Sequence, residues 1–290
     1  MDGPAANCEA PPDISDDALL AEAAQLHDLP AFPRALREHT LGLMQFRESL
    51  RLYNKLLANE NRFRTVRYLL YLDSDRETFG PDGGASYGRL LELCTRRHEI
   101  SPRVLKTMLA LMTLTGFVQS RRGTTDRRQK FYAPTPRLLE FVRQRLSGVA
   151  RALDILQPEI ERARMLCDDP ASIRRVLISA GREHVDGTPP ADRMPDFIAF
   201  FGKQEGAAPL VFTAILSDMD NTPFPSRGVI AKRYGLSKTQ VTNLIADGVQ
   251  RGLLTVDAAG VAAATAHLRA SYWRWTSIEL AVHARHMRPQ

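Results

Sequence analysis

The sequence predicts a mainly α-helical protein with small β-hairpin wings: tandem winged helix-turn-helix domains on a shared helical body. Three observations carry that expectation. A stretch occurs twice: Ser101 and Ser237 each open an apolar-periodic run that ends fifteen residues on at a glycine, Gly116 and Gly252. In register, Leu105, Met108 and Leu109 fall on Val241, Leu244 and Ile245. Each run follows a short helical stretch and a tight break, the order of a helix-turn-helix. After each glycine the apolar period turns strand-like around a turn, as a wing requires.

The elements follow in order. Residues 1–14 are rich in Pro, Ala and Asp and read as a tail. Ser15-Asp16-Asp17 opens a short helix carrying Leu19, Leu20, Ala23 and Leu26, with a cap and acids in its first turn, ended by Pro30 and Pro33. Helical spacing covers 35–58 (Leu36, Leu43, Phe46, Leu50, Tyr53, Leu57) and 62–73 (Phe63, Val66, Leu69, Leu70). A Gly/Pro loop at 80–84 leads to helix 87–97 and a break at His98-Glu99-Ile100. Ser101-Pro102 is a start signal: a hydroxyl cap, then Pro at the first helical position, where no N–H is needed. Residues 117–122 and 130–133 flank Gly123-Thr124-Thr125-Asp126 as a hairpin. Pro136 opens a long helix to about 156, and 159–166, 171–184 and 196–203 read as helices around a hinge at 187–190.

The second unit reads as helices 210–219 and 226–234, the turn Tyr234-Gly235-Leu236, and a capping box Ser237-Lys238-Thr239-Gln240. A weak hairpin around Ala259-Gly260 and a final helix 266–286 complete it. Four segments result. They are an acidic tail with a short helix (1–34), a first winged-helix domain (35–150, helix-turn-helix 87–115, wing 117–135), a helical connector (151–207) and a second winged-helix domain (208–290, helix-turn-helix 226–251, wing 253–265).

Charge is focused rather than spread. The net is +6, yet residues 87–145 hold 13 Lys/Arg against 4 Asp/Glu, and residues 225–270 hold 6 against 2. Residues 1–33 carry seven acids and no Lys or Arg. Basic charge over the two repeats fits a phosphate backbone, or simply a solvated face. Cys8, Cys94 and Cys167 are isolated, so no disulfide frame or CxxC metal site is expected and a reduced cytoplasmic setting, at the nucleoid, fits. No apolar run approaches the roughly 20 residues of a membrane span, and the acidic N-terminus lacks the apolar core of a signal peptide. Phosphate-binding loops, nucleophile elbows and HExxH are absent, so no enzyme and no cofactor are expected. His283 and His286 have no evident third metal ligand. Tyr272, Trp273 and Trp275 read as packing residues.

With Leu105, Met108, Leu109 and Met112 facing inward, the first recognition helix turns Pro102, Arg103, Lys106, Thr107 and Ala110 outward, starting from the Ser101 cap. The matching positions of the second are Lys238, Thr239, Thr242, Asn243 and Ala246. Arg103 suits a bidentate contact to guanine, and Asn243 one to adenine. Arg121, Arg122, Arg127, Arg128 and Lys130 cluster around one turn, where a guanidinium can enter a narrow minor groove. Asp126 among them is expected to pair with a neighbouring Arg and fix the shape of the wing.

Residues 101–136 resemble the recognition helix and wing of the multiple-antibiotic-resistance regulator (MarR) family. The family's Asp-x-Arg turn matches Asp126-Arg127-Arg128, and its closing strand and Thr match Lys130-Phe131-Tyr132-Ala133-Pro134-Thr135. The resemblance covers 62–145. It implies that Arg128 is the minor-groove residue and Asp126 its structural partner. It also implies a small aromatic acid as a ligand, for which Tyr53, Tyr68 and Tyr71 are lining candidates or core. Residues 208–286 resemble a winged helix only in outline, since the second wing (255–262) has no Lys or Arg. Family members are homodimers, so two units in one chain suggest a fused, monomeric pseudo-dimer, with further dimerisation left open. The expected function is a sequence-specific double-stranded-DNA-binding transcription regulator. Two alternatives remain: a plasmid-type replication initiator and a winged-helix protein-interaction scaffold.

Overall fold

A computed structural model describes residues 16–48, 59–96, 99–124, 126–187 and 190–288. Among them the chain is mainly helical, with two antiparallel two-stranded sheets. No helix among the described residues is long and apolar enough to cross a membrane.

Helices α1 (Asp16–His27) and α2 (Phe32–Glu48) come first. Helix α2 starts at Phe32 rather than at 35, with Pro33 inside its first turn instead of ending the preceding helix. Pro is tolerated there because the first N–H groups of a helix have no intrahelical partner. The expected continuation of this helix to 58, with Tyr53, lies outside the described residues.

The first repeat runs from α3 (Glu60–Ser74), through the one-turn α4 (Arg76–Phe79), to α5 (Tyr87–Arg96) and α6 (Pro102–Leu114). Strands β1 (Val118–Arg122) and β2 (Lys130–Pro134) pair from Val118↔Pro134 to Arg122↔Lys130, and α7 (Pro136–Leu156) closes the repeat. The connector holds α8 (Arg162–Asp168), α9 (Pro170–Asp186) and α10 (Pro195–Phe201). The second repeat follows the same order: α11 (Ala207–Met219), α12 (Arg227–Tyr234), α13 (Lys238–Gln250), β3 (Leu254–Val256), β4 (Ala262–Ala264) and α14 (Ala266–His286).

The likeness of the repeats reaches single hydrogen bonds. Ser86 and Ser226 Oγ accept the N–H of Arg89 and Val229, and Ser101 and Ser237 Oγ accept those of Val104 and Gln240. Gly116 (φ 71°) and Gly252 (φ 68°) end α6 and α13 in the left-handed region, which L-residues avoid. The Phe117 and Leu253 N–H groups then bond back to Met112 and Gly248 carbonyls at 2.9 Å each. At the far end of each hairpin a threonine closes the loop. Thr135 Oγ1 donates to the Gly116 carbonyl (2.8 Å) and Thr265 Oγ1 to that of Gly252 (2.7 Å), and both then cap the following helix. Only half of the expected capping box forms at Ser237. Gln240 Nε2 reaches the Glu205 carbonyl (3.1 Å), a more distant acceptor that its length allows.

One contiguous apolar cluster links both repeats and the outer helices. Helix α2 packs on α7 and on α11, α1 on α14, and α3 on α9. Gly42 and Gly148 face each other where α2 crosses α7, and a Cβ on Gly42 would lie 3.6 Å from the Gly148 Cα. Tyr272 is fully buried and Trp275 nearly so; with Phe201 and Phe212 they form an aromatic knot with ring centroids 4.7–6.2 Å apart.

Candidate functional site

Helices α6 and α13 bury matching stripes, Leu105, Met108, Leu109 and Met112 against Val241, Leu244, Ile245 and Gly248. What remains outside is polar. Ser101, Arg103, Lys106 and Thr107 on one helix, and Lys238, Thr239, Thr242 and Asn243 on the other, are all exposed. One threonine on each helix spends its hydroxyl locally. Thr107 Oγ1 donates to the Arg103 carbonyl and Thr242 Oγ1 to that of Lys238, each at 3.0 Å. Ser101 Oγ is likewise engaged as an acceptor, in its cap.

The start of α6 is anchored from behind. Glu99, just before the Ser101 cap, is 7% exposed, and its carboxylate accepts from Arg64 Nη1 and Tyr68 Oη at 3.1 Å each. Asn61 Nδ2 donates to the Glu99 carbonyl at 2.8 Å. Arg64 extends the network to Glu60 (3.3 Å) and, through Nη2, to Asp192 in the connector (2.6 Å). Nothing local in the sequence signals its long-range links, because Glu99 and Asp192 lie 35 and 128 residues from Arg64.

The first hairpin carries a cluster of cations, and they do different things. Arg122, Arg127, Arg128 and Lys130 are exposed. Arg122 Nη1 donates to the Arg127 carbonyl (3.0 Å), and the Lys130 ammonium lies over the Tyr132 ring at 5.3 Å. Arg121 departs from the expected groove role. It is half-buried, its Nη2 bonded to Asp73 (3.2 Å) and to the Asp82 carbonyl (2.6 Å), so it ties the hairpin to α3. Asp82 completes the tether by accepting both the N–H (2.7 Å) and the hydroxyl (2.8 Å) of Thr124. Asp126 does shape the turn, but by accepting the backbone N–H of Arg128 at 2.9 Å rather than by pairing with a guanidinium. A carboxylate two residues upstream reaches that N–H more readily than it reaches a long side chain. The Arg128 guanidinium therefore stays solvent-facing. The second hairpin is uncharged apart from Asp257, and exposes Val256 and Val261.

Tyr68 and Tyr71 are not among the wall residues of the main apolar cavity of the described residues. Both are core residues, Tyr68 turned to Glu99 and to the His184 ring, and Tyr71 packed edge-on to Phe79. The cavity lies elsewhere, between α3, α7, α9 and α14, with a volume of about 100 Å3. At its polar corner Arg145 of α7 donates to Glu279 of α14 (2.9 Å), and His283 lies 3.3 Å from the same carboxylate. Burial alone would raise the Glu279 carboxyl, but the His283 contact and the positive charges of Arg145 and Arg67 hold it far below the usual range. His39, fully buried nearby, is pushed down to about 3 by burial and by Arg145.

His286 sits 2.8 Å from the Glu183 carboxylate, and no group of three metal-ligating side chains occurs among the described residues. The buried Cys94 thiol is pushed up to about 11 by burial, which keeps it protonated. Comparison with protein-family models, curated proteins and solved structures gave no match.

Proposed function

We propose that this chain is a sequence-specific DNA-binding transcription regulator that reads two half-sites with its two repeats acting as winged helices. The observation that supports this best is the pair of serine-capped helices with polar outer faces and apolar inner stripes in register, one of them beside a hairpin bearing exposed Arg122, Arg127, Arg128 and Lys130. An exposed helix carrying Arg103 and Lys106 fits the major groove, and a solvent-facing Arg128 at a hairpin tip fits the minor groove. In this reading the function rests on binding, with no chemistry performed. The halves of the site are unequal, because the second hairpin offers phosphate no cation.

Selection of bound sequences from a random duplex pool, with affinity for the winner followed across salt, tests the proposal. A motif with two unlike halves and a steep salt slope is the expected result. Failure to bind duplex DNA at low salt would sink it. The uncharged second hairpin favours one further reading, in which the second repeat docks a protein while the first holds DNA. A footprint covering a single half-site would point there.

A further inference from the structure

Helices α6 and α13 share a neighbour. The connector runs from a single turn at Pro190–Arg193 through α10 to the start of α11, and it grips α6 at one end and α13 at the other. At its first end the Asp192 carboxylate accepts from Arg64 Nη2 (2.6 Å) and Nη1 (3.2 Å), and the same Nη1 donates to Glu99 at the entrance to α6. The Glu60 N–H adds a bond to the Gly202 carbonyl at 2.7 Å. At its other end Gln204 Nε2 donates to Asp247 of α13 (2.5 Å), and Gln240 of α13 donates to the Glu205 carbonyl (3.1 Å). Gly206 (φ 90°) presses the chain onto the second repeat, since a Cβ there would lie 2.8 Å from Leu236 Cδ1 and 3.2 Å from Leu244 Cδ1. Between the two ends lies α10, whose Phe197, Ile198, Phe200 and Phe201 are buried. Phe200 reaches α13 as well: a Cβ on Gly248 would lie 3.4 Å from its Cζ. The span is pinned at both ends and close-packed in the middle, which leaves it little freedom to bend.

We propose that the connector from Asp192 to Gly206 is a strut that fixes the separation of α6 and α13, and that Asp192 and Gln204 are positioning residues acting through it. The shared apolar body joins the repeats as wholes, whereas the strut joins the two helices themselves. Its consequence for DNA rests on the regulator reading. One extra base pair between half-sites moves the second by about 3.4 Å and turns it by about 35°. Helices held at one separation follow one spacing, so Asp192 and Gln204 determine the half-site spacing without touching a base.

The test begins without DNA. Spin labels at Lys106→Cys and Thr242→Cys report the α6–α13 distance by double electron–electron resonance, in a Cys8→Ser, Cys167→Ser background that leaves the buried Cys94. A single narrow distribution is expected. Asp192→Ala with Gln204→Ala cuts both pins and leaves Arg64 bonded to Glu99 and Asp247 to Arg251; it should broaden the distribution at least about twofold. If that pair does not fold, Asp192→Ala alone, at an exposed position, serves the same comparison. Arg143→Ala, which breaks an ion pair within α7, should change nothing. Equal widths in parent and variant, or equal broadening by Arg143→Ala, would overturn the strut. The second arm offers duplexes whose selected half-sites lie one base pair closer or further apart. The parent is expected to lose at least about tenfold in affinity, and the variant no more than about threefold. A variant that broadens yet keeps the parent's spacing penalty would overturn the spacing role. If no duplex binds, the regulator reading falls and the spacing role with it, while the distance arm still decides the strut.

Discussion

Arg121 and Arg128 sit on one hairpin seven residues apart, and their surroundings assign them opposite work. The Arg121 guanidinium is spent on Asp73 and the Asp82 carbonyl, whereas Arg128 is exposed and, among the described residues, is engaged through its backbone N–H. Arg128→Ala is therefore expected to weaken duplex binding and to lower the salt slope by about one counterion, with stability unchanged. Arg121→Ala should do the reverse, losing about 1 kcal/mol of stability in urea unfolding through two lost hydrogen bonds. Equal loss of affinity in both variants, with neither destabilised, would refute this division. Asp126 shows the same economy: a short acid in a turn caps a backbone N–H and leaves the neighbouring cations exposed.

At the scale of elements, each repeat is a set of caps at matched positions, and the hairpins are held by their ends more than by their strands. Strands β3 and β4 have three residues each, too few to persist alone. Thr265 joins the end of that hairpin to its beginning and at the same time caps α14, as Thr135 does for β2 and α7. Thr265→Val and Thr135→Val, which keep the shape and remove the hydroxyl, should each cost about 1–2 kcal/mol by chemical denaturation. If the loss is only a few tenths of a kcal/mol, the threonines are not what closes the hairpins.

Across the whole molecule, the buried ionic corner joins the closing helices of the two repeats. The Arg145 and Glu279 side chains are 13% and 7% exposed, so removing one partner strands a buried charge. Arg145→Leu is expected to cost about 3–5 kcal/mol, and the double change Arg145→Leu with Glu279→Leu distinctly less. Strict additivity of the single changes would show that the pair is not coupled.

The same region makes stability pH-dependent. His39 is held near 3 against an ordinary 6.5, so the unfolded chain binds its proton first. Stability from this group is complete above about 6.5 and falls as pH drops toward 3, by up to about 1.4 kcal/mol per pH unit. His283 is lowered too, by burial, and Glu279 adds a loss in the same direction below its ordinary 4.5. Charges facing His39 are Arg145, Glu279 and His283. His39→Phe should flatten the dependence of unfolding free energy on pH between 6.5 and 4.5, and an unchanged slope would place the effect on the other groups.

What the sequence by itself determined is whatever is settled within a few residues of chain. The serine caps before α6 and α13, the left-handed glycines after them, the turns between strands and the inward stripes all depend on neighbours three or four positions away, so their residue types announce them. The exposed faces carrying Arg103, Lys106, Lys238 and Asn243 follow from the same periodicity. What only the tertiary structure decided is set by how helices cross. Arg145 meets Glu279 across 134 residues, Arg64 meets Asp192 across 128, and Arg121 meets Asp73 across 48. The commitment of Arg121, the anchoring of Glu99 and the cavity beside Arg145 and Glu279 were therefore out of reach of local pattern. A side chain's long-range partner is chosen by the packing of whole helices, and that packing is the summed outcome of apolar burial along the entire chain.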